Sequence, residues 1–225
     1  MSEELRATLP GGGVLFTDRS HGNMSSVDGL DAEHGTEARD RLRDRLGLRA
    51  VARGFQVHGS VVEIVAEIPG SEPDTADLVR ADGQATALSD LGVMVLAADC
   101  LPVAISRAGA VAMVHAGWRG LAVGVLENGT KALGGSRAER PVAVLGPCAG
   151  PCCYEVGPEV HAALGSDLRE KAPIDLRAVA RRKLSTAGID EVIELGGCTI
   201  CDERYFSYRR EGEAAGRQTG VAWLS

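Results

Sequence analysis

The chain has 225 residues, enough for one large domain or two small ones, with a sizeable core. Its 24 basic and 31 acidic residues give a formal net charge of −7, which argues against a nucleic-acid-binding or anionic-membrane surface. No apolar run approaches the ~20 residues that span a bilayer, and the amino terminus lacks the layout of a signal peptide. We therefore expect a cytoplasmic protein whose six cysteines are reduced thiols.

Hydrophobic spacing predicts a succession of short strands and helices in one domain, residues 1–225, without repeats or low-complexity linkers. Residues 1–13 read as a loose lead-in and 25–36 as a polar loop. Alternating charge at helical spacing predicts a solvated helix over 37–46, with Thr36 as its N-cap. The other predicted elements are strands over 14–17, 61–68, 93–98, 102–106, 110–114, 141–146, 191–195 and 221–224, and helices over 121–133, 158–164 and 175–187.

The central stretch, residues 93–120, places two reactive side chains after apolar runs. Cys100 follows the run 93–98, and His115 follows the run 110–114; both runs are as short and aliphatic as buried strands. The segment 107–109 can turn the chain between them. We therefore expect a thiol and an imidazole at the ends of neighbouring strands.

The residues around Cys100 and His115 strengthen this expectation. Asp99 directly precedes Cys100, where an acid is hard to bury without a partner. After His115, Gly117 and Gly120 let the backbone bend, so that Trp118 and Arg119 can line the site formed by Cys100 and His115. The competing interpretation is a buried structural cysteine beside a histidine satisfied within the core.

A second histidine, His58, stands upstream in the segment QVHG. Together with Cys100 and His115 it completes a set of two imidazoles and one thiol. Such a set suits zinc and leaves a fourth position open for water, as catalytic zinc sites do. The sequence therefore offers a three-ligand zinc site.

Five segments resemble one known family. They are GFQVHG (54–59), AADCLPVAI (97–105), VHAGWRGLAVGV (114–125), GPCAGPCCYEVG (146–157) and CTICDERYFSYRRE (198–211). They are similar to the bacterial laccase-domain family, also called the multicopper polyphenol oxidase, purine nucleoside phosphorylase or peptidoglycan-editing-factor family. The resemblance implies an α/β (α+β) fold, a single-domain four-layer αββα sandwich with mixed β-sheets. It also implies zinc held by His58, Cys100 and His115.

The same resemblance implies a zinc-dependent purine nucleoside enzyme. The expected reactions are phosphorolysis of adenosine, inosine or guanosine-type nucleosides to base and ribose 1-phosphate, and deamination of adenosine. The expected partners are a purine nucleoside and phosphate, without nucleic acid or membrane, in a monomer or homodimer. Nothing in the residue spacing by itself selects a purine.

Individual residues then receive expected roles. The catalytic candidates are Cys100, His115, His58 and Asp99, with Asp99 orienting a ligand imidazole or moving a proton. The candidate substrate contacts are Arg39, Gln56, Arg119 and Arg209. Arg39 matches the family's anion-contacting helix arginine, although a surface arginine is an equally good interpretation, and Asp77 is a candidate outer partner of the site.

Two other functions stay open. One is a Cys–His hydrolase or amidase that edits peptidoglycan precursors, with Cys100 as nucleophile and His115 as base. The other is a copper-dependent polyphenol oxidase. Copper ranks lowest, because multicopper oxidases need several histidine-rich clusters and this chain has only five histidines.

The remaining cysteines, Cys148, Cys152, Cys153, Cys198 and Cys201, permit two interpretations. The spacing Cys198-Thr-Ile-Cys201 fits one half of a structural four-thiolate zinc site, but 148–153 lacks the usual spacing of the other half. Small buried thiols are therefore the favoured interpretation.

Overall fold

The computed structural model describes residues 4–25, 32–135 and 140–225. The strands are β1 (Leu5–Leu9), β2 (Gly12–Phe16), β3 (Ala50–Ala52), β4 (Val62–Ile64), β5 (Gly83–Thr86), β6 (Leu91–Ala97), β7 (Leu101–Arg107), β8 (Ala110–Ala116), β9 (Val142–Leu145), β10 (Glu155–Val156), β11 (Ala172–Pro173), β12 (Glu191–Glu194) and β13 (Gln218–Leu224). The helices are α1 (Ala32–Arg45), α2 (Trp118–Ala122), α3 (Val125–Ala132), α4 (Pro158–Ala163), α5 (Leu176–Thr186) and α6 (Tyr208–Glu211).

Two mixed sheets dominate the fold. The first has five strands in the order β1-β2-β13-β6-β3, and the second has six in the order β12-β9-β7-β8-β5-β4. Parallel pairs (β3 with β6, β4 with β5, β9 with β12) lie beside antiparallel ones in both sheets. β6 ends in the first sheet and β7 starts in the second, so residues 98–100 carry the chain from one sheet to the other.

Three buried clusters show how these layers stack. The cluster between the sheets joins side chains of the first sheet, such as Phe16 and Val95, to Met113 of the second. On the outer face of the first sheet, Met94 packs with Leu42 of α1. The outer face of the second sheet is covered by residues of α2, α3, α4 and α5. The predicted four-layer αββα sandwich with mixed sheets is confirmed.

The layering explains why the central strands are apolar along their whole length. In β6, Val93 and Val95 point into the space between the sheets, whereas Met94 points toward α1. Side chains alternate between the two faces of a strand, and here both faces are covered. The strands β7 and β8 pair in antiparallel register and form the predicted hairpin, which turns through Gly109 with φ of 76°.

Four expectations about local structure are wrong. The amino-terminal segment is not a loose lead-in, because β1 pairs with β2 in antiparallel register. Helix α1 begins at Ala32, so the end of the expected loop is helical and Thr36 lies inside the helix rather than at its N-cap. The rest of that loop, 26–31, lies outside the described residues. The expected helix 121–133 is two helices, separated at Gly124, whose φ of 90° interrupts the helical path.

None of the helices in the described part of the chain has both the length and the apolar character required of a membrane span.

Candidate active site

His58, Cys100 and His115 meet at one place, as predicted. Their ligand atoms all lie within 4.8 Å of one another. The imidazole rings of His58 and His115 are in edge-to-face contact, with centroids 4.9 Å apart. His115 is buried, Cys100 is half-buried and His58 is exposed, so the cluster has one open side.

The strand register brings Cys100 and His115 together. Cys100 directly precedes β7. Pro102, two residues further on, lies opposite His115 of β8. Two residues near the cluster adopt left-handed backbone conformations, with φ of 60° at His58 and 87° at Asp99. Such angles are uncommon for residues other than glycine and concentrate at functional sites.

Gly117 makes room for the cluster. A Cβ at this position would lie 2.8 Å from Cys100 Sγ and 3.2 Å from His58 Cδ2. These distances are shorter than van der Waals contacts, so any side chain would displace the thiol or the ring. The backbone angles of Gly117, φ −67° and ψ 165°, are accessible to any residue, so glycine is needed here for close approach and not for the expected bend.

Asp82, which no sequence motif marks, organises the cluster. Its fully buried carboxylate accepts a hydrogen bond from His115 Nδ1 at 2.8 Å. It also accepts the backbone N–H groups of Val57, His58 and Gly59 at 2.7–3.1 Å. One carboxylate thus orients one ring and fixes the loop that carries the other.

The same contacts determine the charges of the site. Burial raises the pKa of the Asp82 carboxyl, but the hydrogen bonds from His115 and from the backbone outweigh it and lower the pKa. Burial raises the pKa of the Cys100 thiol, but the rings of His115 and His58 outweigh it and lower the pKa to about 6. Burial lowers the pKa of His115, whereas Cys100 and Asp82 raise it to about 9. Without a metal ion, the site therefore holds a thiolate beside an imidazolium at neutral pH.

Asp99 makes contacts different from those expected of a ligand-orienting residue. Its carboxylate accepts hydrogen bonds at 2.6 Å from Thr199 Oγ1 and at 2.6 Å from the backbone N–H of Arg209. Its carbonyl accepts the N–H of Ala149 at 2.8 Å. The residue that contacts an imidazole of the cluster is Asp82. Asp99 instead ties the Cys100 turn to two distant segments, and its catalytic role stays a prediction.

Tyr154, Arg119 and Arg209 lie beside the cluster. The Arg209 guanidinium stands 5.0 Å from the centroid of the Tyr154 ring, and Arg119 stacks on Trp118 at 4.4 Å. Burial raises the pKa of Tyr154 to about 12, and the charges of Cys100, Asp99, Arg209 and Arg119 all act on it. A protonated phenol therefore lies within electrostatic reach of Cys100 and of two exposed guanidinium groups.

The other two candidate substrate contacts are engaged with the protein. The Gln56 amide donates to Leu96 O at 2.7 Å and accepts from Leu96 N at 2.8 Å. Arg39 is 1% exposed, donates to Met24 O at 2.6 Å and forms an ion pair with Glu72. Burial lowers the pKa of Arg39, while Glu72 opposes that effect. The structure thus gives both side chains structural partners, and their contact with a substrate stays a prediction.

The distal cysteines do not all behave as expected. Cys148 is buried, in agreement with the prediction, and burial raises its pKa to about 12. Cys152 and Cys201 are exposed, and Cys153 and Cys198 are only half-buried. The favoured interpretation of buried thiols is therefore wrong for these four.

The potential ligands His58, Cys100 and His115 fit a zinc ion. Two imidazoles and one thiolate are ligands that zinc accepts, with bonds of about 2.0–2.3 Å, and catalytic zinc sites have three protein ligands. The low pKa of Cys100 supplies the thiolate at neutral pH. The buried carboxylate on His115 Nδ1 is the usual outer partner of a zinc-bound histidine and leaves Nε2 for a metal.

Fold and site together define an α/β protein with a His–Cys–His cluster that could hold a metal ion, at the crossing between two sheets. The family model described as multi-copper polyphenol oxidoreductase laccase matches residues 7–225, and the chain belongs to this family. The expected family membership is confirmed.

Relatives of known name extend over nearly the whole chain. A purine nucleoside phosphorylase of Xylella fastidiosa (strain Temecula1) is 40% identical over 96% of this chain and 88% of its own length. Purine nucleoside phosphorylase YfiH of Escherichia coli K12 is 34% identical over 95% of this chain and 90% of its own length. Among solved structures, a Neisseria meningitidis protein superposes with a TM-score of 0.85 at 30% identity, covering 99% of both chains.

Proposed function

We propose that this chain is a zinc-dependent enzyme of purine nucleosides, which cleaves them with phosphate to base and ribose 1-phosphate and also deaminates adenosine. The observation that supports the proposal most is the His58–Cys100–His115 cluster, in which the Asp82 carboxylate accepts a hydrogen bond from His115. It occurs in a chain whose relatives are named purine nucleoside phosphorylases.

In this proposal His58, Cys100 and His115 hold the zinc. When bound, zinc supplies a Lewis acid at the open side of the cluster. Asp82 keeps His115 in the tautomer whose Nε2 is free of a proton, because Nδ1–H donates to the carboxylate. Gly117 leaves the space that the thiolate needs.

The residues at the open side suit the two proposed substrates. Phosphate carries negative charge, which the guanidinium groups of Arg119 and Arg209 attract and can bind through paired N–H groups. The Tyr154 ring offers a surface for a planar base, and its raised pKa keeps its O–H as a hydrogen-bond donor at neutral pH. A purine released from the ribose needs a proton, which a nearby O–H donor can supply.

The deciding experiment incubates protein of known metal content with adenosine, inosine or guanosine, with and without phosphate. We expect free base and ribose 1-phosphate only with phosphate, and inosine plus ammonia from adenosine without it. His115→Ala should abolish both. If zinc-loaded wild-type protein forms none of these products, the proposed function is wrong.

A Cys–His hydrolase or amidase is the second candidate, supported by the thiolate–imidazolium pair of Cys100 and His115. Such a pair is the activated nucleophile of cysteine hydrolases. A copper-dependent oxidase ranks below both. Among the residues that the structure describes, the metal-ligand groups are this cluster and one of four cysteines, and neither is a histidine-rich multicopper arrangement.

A further inference from the structure

A second group of potential metal ligands lies outside the proposed active site. Cys152, Cys153, Cys198 and Cys201 place all four sulfur atoms within 4.8 Å of one another. Cys201 Sγ lies 3.1 Å from Cys152 Sγ and 2.7 Å from Cys153 Sγ. Four cysteines from two separate segments, 152–153 and 198–201, thus converge on one point.

Hydrophobic burial does not explain this convergence. Cys152 and Cys201 are exposed, and their two partners are only half-buried. Neutral thiols are weak hydrogen-bond groups and give little reason for four of them to meet at the surface. A tetrahedral zinc ion with Zn–S bonds of about 2.3 Å requires sulfurs roughly 3.8 Å apart. All four sulfurs lie within 4.8 Å of one another, and the two short contacts of Cys201 would lengthen as an ion enters between them.

The backbone around the four cysteines is shaped to hold them. The N–H of Gly150 donates to Cys198 Sγ at 3.2 Å, an outer contact of the kind that orients metal-bound ligands. A Cβ on Gly150 would lie 3.0 Å from Cys198 Cβ and 3.5 Å from Cys152 Sγ. A larger residue at this position would push Cys198 away by a few tenths of an ångström, so glycine favours the close approach.

Hydrogen bonds join the two turns independently of the thiols. Cys148 and Cys198 form a parallel β-bridge, and Thr199 N donates to Cys148 O at 3.0 Å. Arg210 donates to the carbonyls of Thr199 and Ile200 at 2.8 and 2.9 Å. Its guanidinium also pairs with Glu211 at 2.6 Å, which fixes the side chain that holds the 198–201 turn.

We propose that Cys152, Cys153, Cys198 and Cys201 bind one structural zinc ion, separate from the ion of the active site. Tetrahedral four-thiolate sites are closed structural sites, because they leave no position for a reactant. The ion joins the turn at 150–153 to the turn at 198–201. In this site the adjacent pair Cys152 and Cys153 supplies two of the four ligands, although such spacing is unusual for zinc.

The position of this site gives it a further consequence. Ala149, next to the turn at 150–153, and Thr199, within the turn at 198–201, both hydrogen-bond to Asp99, the residue before Cys100. The ion therefore stabilises the segments that hold the Cys100 turn in place. This consequence concerns the geometry of the active site and does not depend on which reaction occurs there.

Metal analysis of protein purified anaerobically without chelators tests the proposal. Cys201→Ser should contain one zinc ion fewer per chain than wild type. Cys201→His should keep the ion, because imidazole can replace one thiolate at an exposed position. Cys148→Ala is the matched control, because it removes a neighbouring buried thiol and should leave the zinc content unchanged. His58→Ala measures the active-site ion separately.

Wild-type protein provides the test if the serine variant does not fold. Stepwise addition of a mercurial thiol reagent, with a chromogenic zinc chelator present, should release a zinc ion as Cys152 and Cys201 react. A folded Cys201→Ser variant with unchanged zinc content would overturn the proposal. So would mercurial modification of these cysteines without zinc release, or a disulfide between Cys153 and Cys201 in the anaerobically purified protein.

Discussion

Asp82 and His115 form a buried carboxylate–imidazole pair, with Oδ1 and Nδ1 2.8 Å apart, and the same carboxylate binds the backbone of the His58 loop. The two histidines of the metal-ligand cluster come from segments 57 residues apart in the sequence (115 − 58). Asp82 is therefore the residue that sets the position of one relative to the other.

We expect Asp82→Asn to weaken zinc binding about 10- to 100-fold, the usual effect of removing an outer partner of a metal-bound histidine. The amide removes the negative charge that raises the pKa of His115 and cannot accept all four hydrogen bonds equally well. Competition with a chelator of known affinity measures the change. Asp77, the outer partner expected from the sequence, is exposed, and the contacts to the cluster are made by Asp82 instead. Asp77→Asn is therefore the matched control, and equal zinc affinity of the two variants would contradict this role of Asp82.

Gly117→Ala should damage the site while leaving the fold largely intact. Its methyl group would come within 2.8 Å of Cys100 Sγ, so the thiol must move. Displacements of about 1 Å at a reacting centre can cost about 100-fold in rate, and we expect a loss of kcat/KM of roughly 10- to 100-fold. Gly70→Ala is the control, because no atom lies within 4 Å of its added Cβ. Wild-type activity in Gly117→Ala would show that the close approach is unimportant.

Arg209→Gln and Arg119→Gln should each raise the KM for phosphate about tenfold, the scale of one lost hydrogen bond to a charged group. Neither substitution removes a zinc ligand, so zinc content should stay constant. Arg41→Gln on α1, whose partner is Glu37, controls for the change in net charge. Initial rates at varied phosphate concentration measure the effect. An unchanged KM in both site variants would place phosphate elsewhere.

The two strands next to Cys100 and His115 could be predicted because their own residues determine them. β7 and β8 are buried on both faces, so nearly every residue is apolar and the run is visible without a partner. β1 could not be recognised in this way. Its sequence LRATL forms a strand because β2 provides a partner, and that pairing is a tertiary contact.

The sequence does not reveal Asp82, for a related reason. It immediately precedes β5, a four-residue strand with the sequence GQAT, which carries no apolar run to draw attention to its end. Asp99 was noticed, but its contacts were not predictable. Its partners Thr199 and Arg209 lie 100 and 110 residues further along the chain. The sequence thus identifies ligand types, whereas the outer partners depend on the packing of distant segments.

The pH dependence of Cys100 alkylation in metal-free protein tests the ion pair with His115. The thiolate is the reactive form, so the rate should rise as pH increases through the Cys100 pKa of about 6 and then level off. In His115→Gln the imidazolium no longer lowers the pKa of Cys100, while burial still raises it. The pH at which the alkylation rate is half-maximal should therefore rise by about one unit or more. Rates at Cys100, followed by mass spectrometry of its peptide between pH 5 and 9, measure this. Superimposable profiles would contradict the ion pair.

The last prediction separates zinc chemistry from thiol chemistry at the same residues. A zinc-bound Cys100 is a coordinated thiolate and should react poorly with iodoacetamide, whereas chelation should expose it beside His115 and make labelling fast. The proposed enzyme therefore loses activity as Cys100 labelling rises, and zinc added before alkylation should restore activity. A Cys–His hydrolase would behave differently, because its free thiolate is labelled in the active protein and chelators leave its rate unchanged. Peptide mapping keeps Cys100 distinct from the four distal cysteines, and buried Cys148 should stay unlabelled. Fast labelling of Cys100 in active, zinc-free protein would overturn the proposed zinc mechanism in favour of the hydrolase.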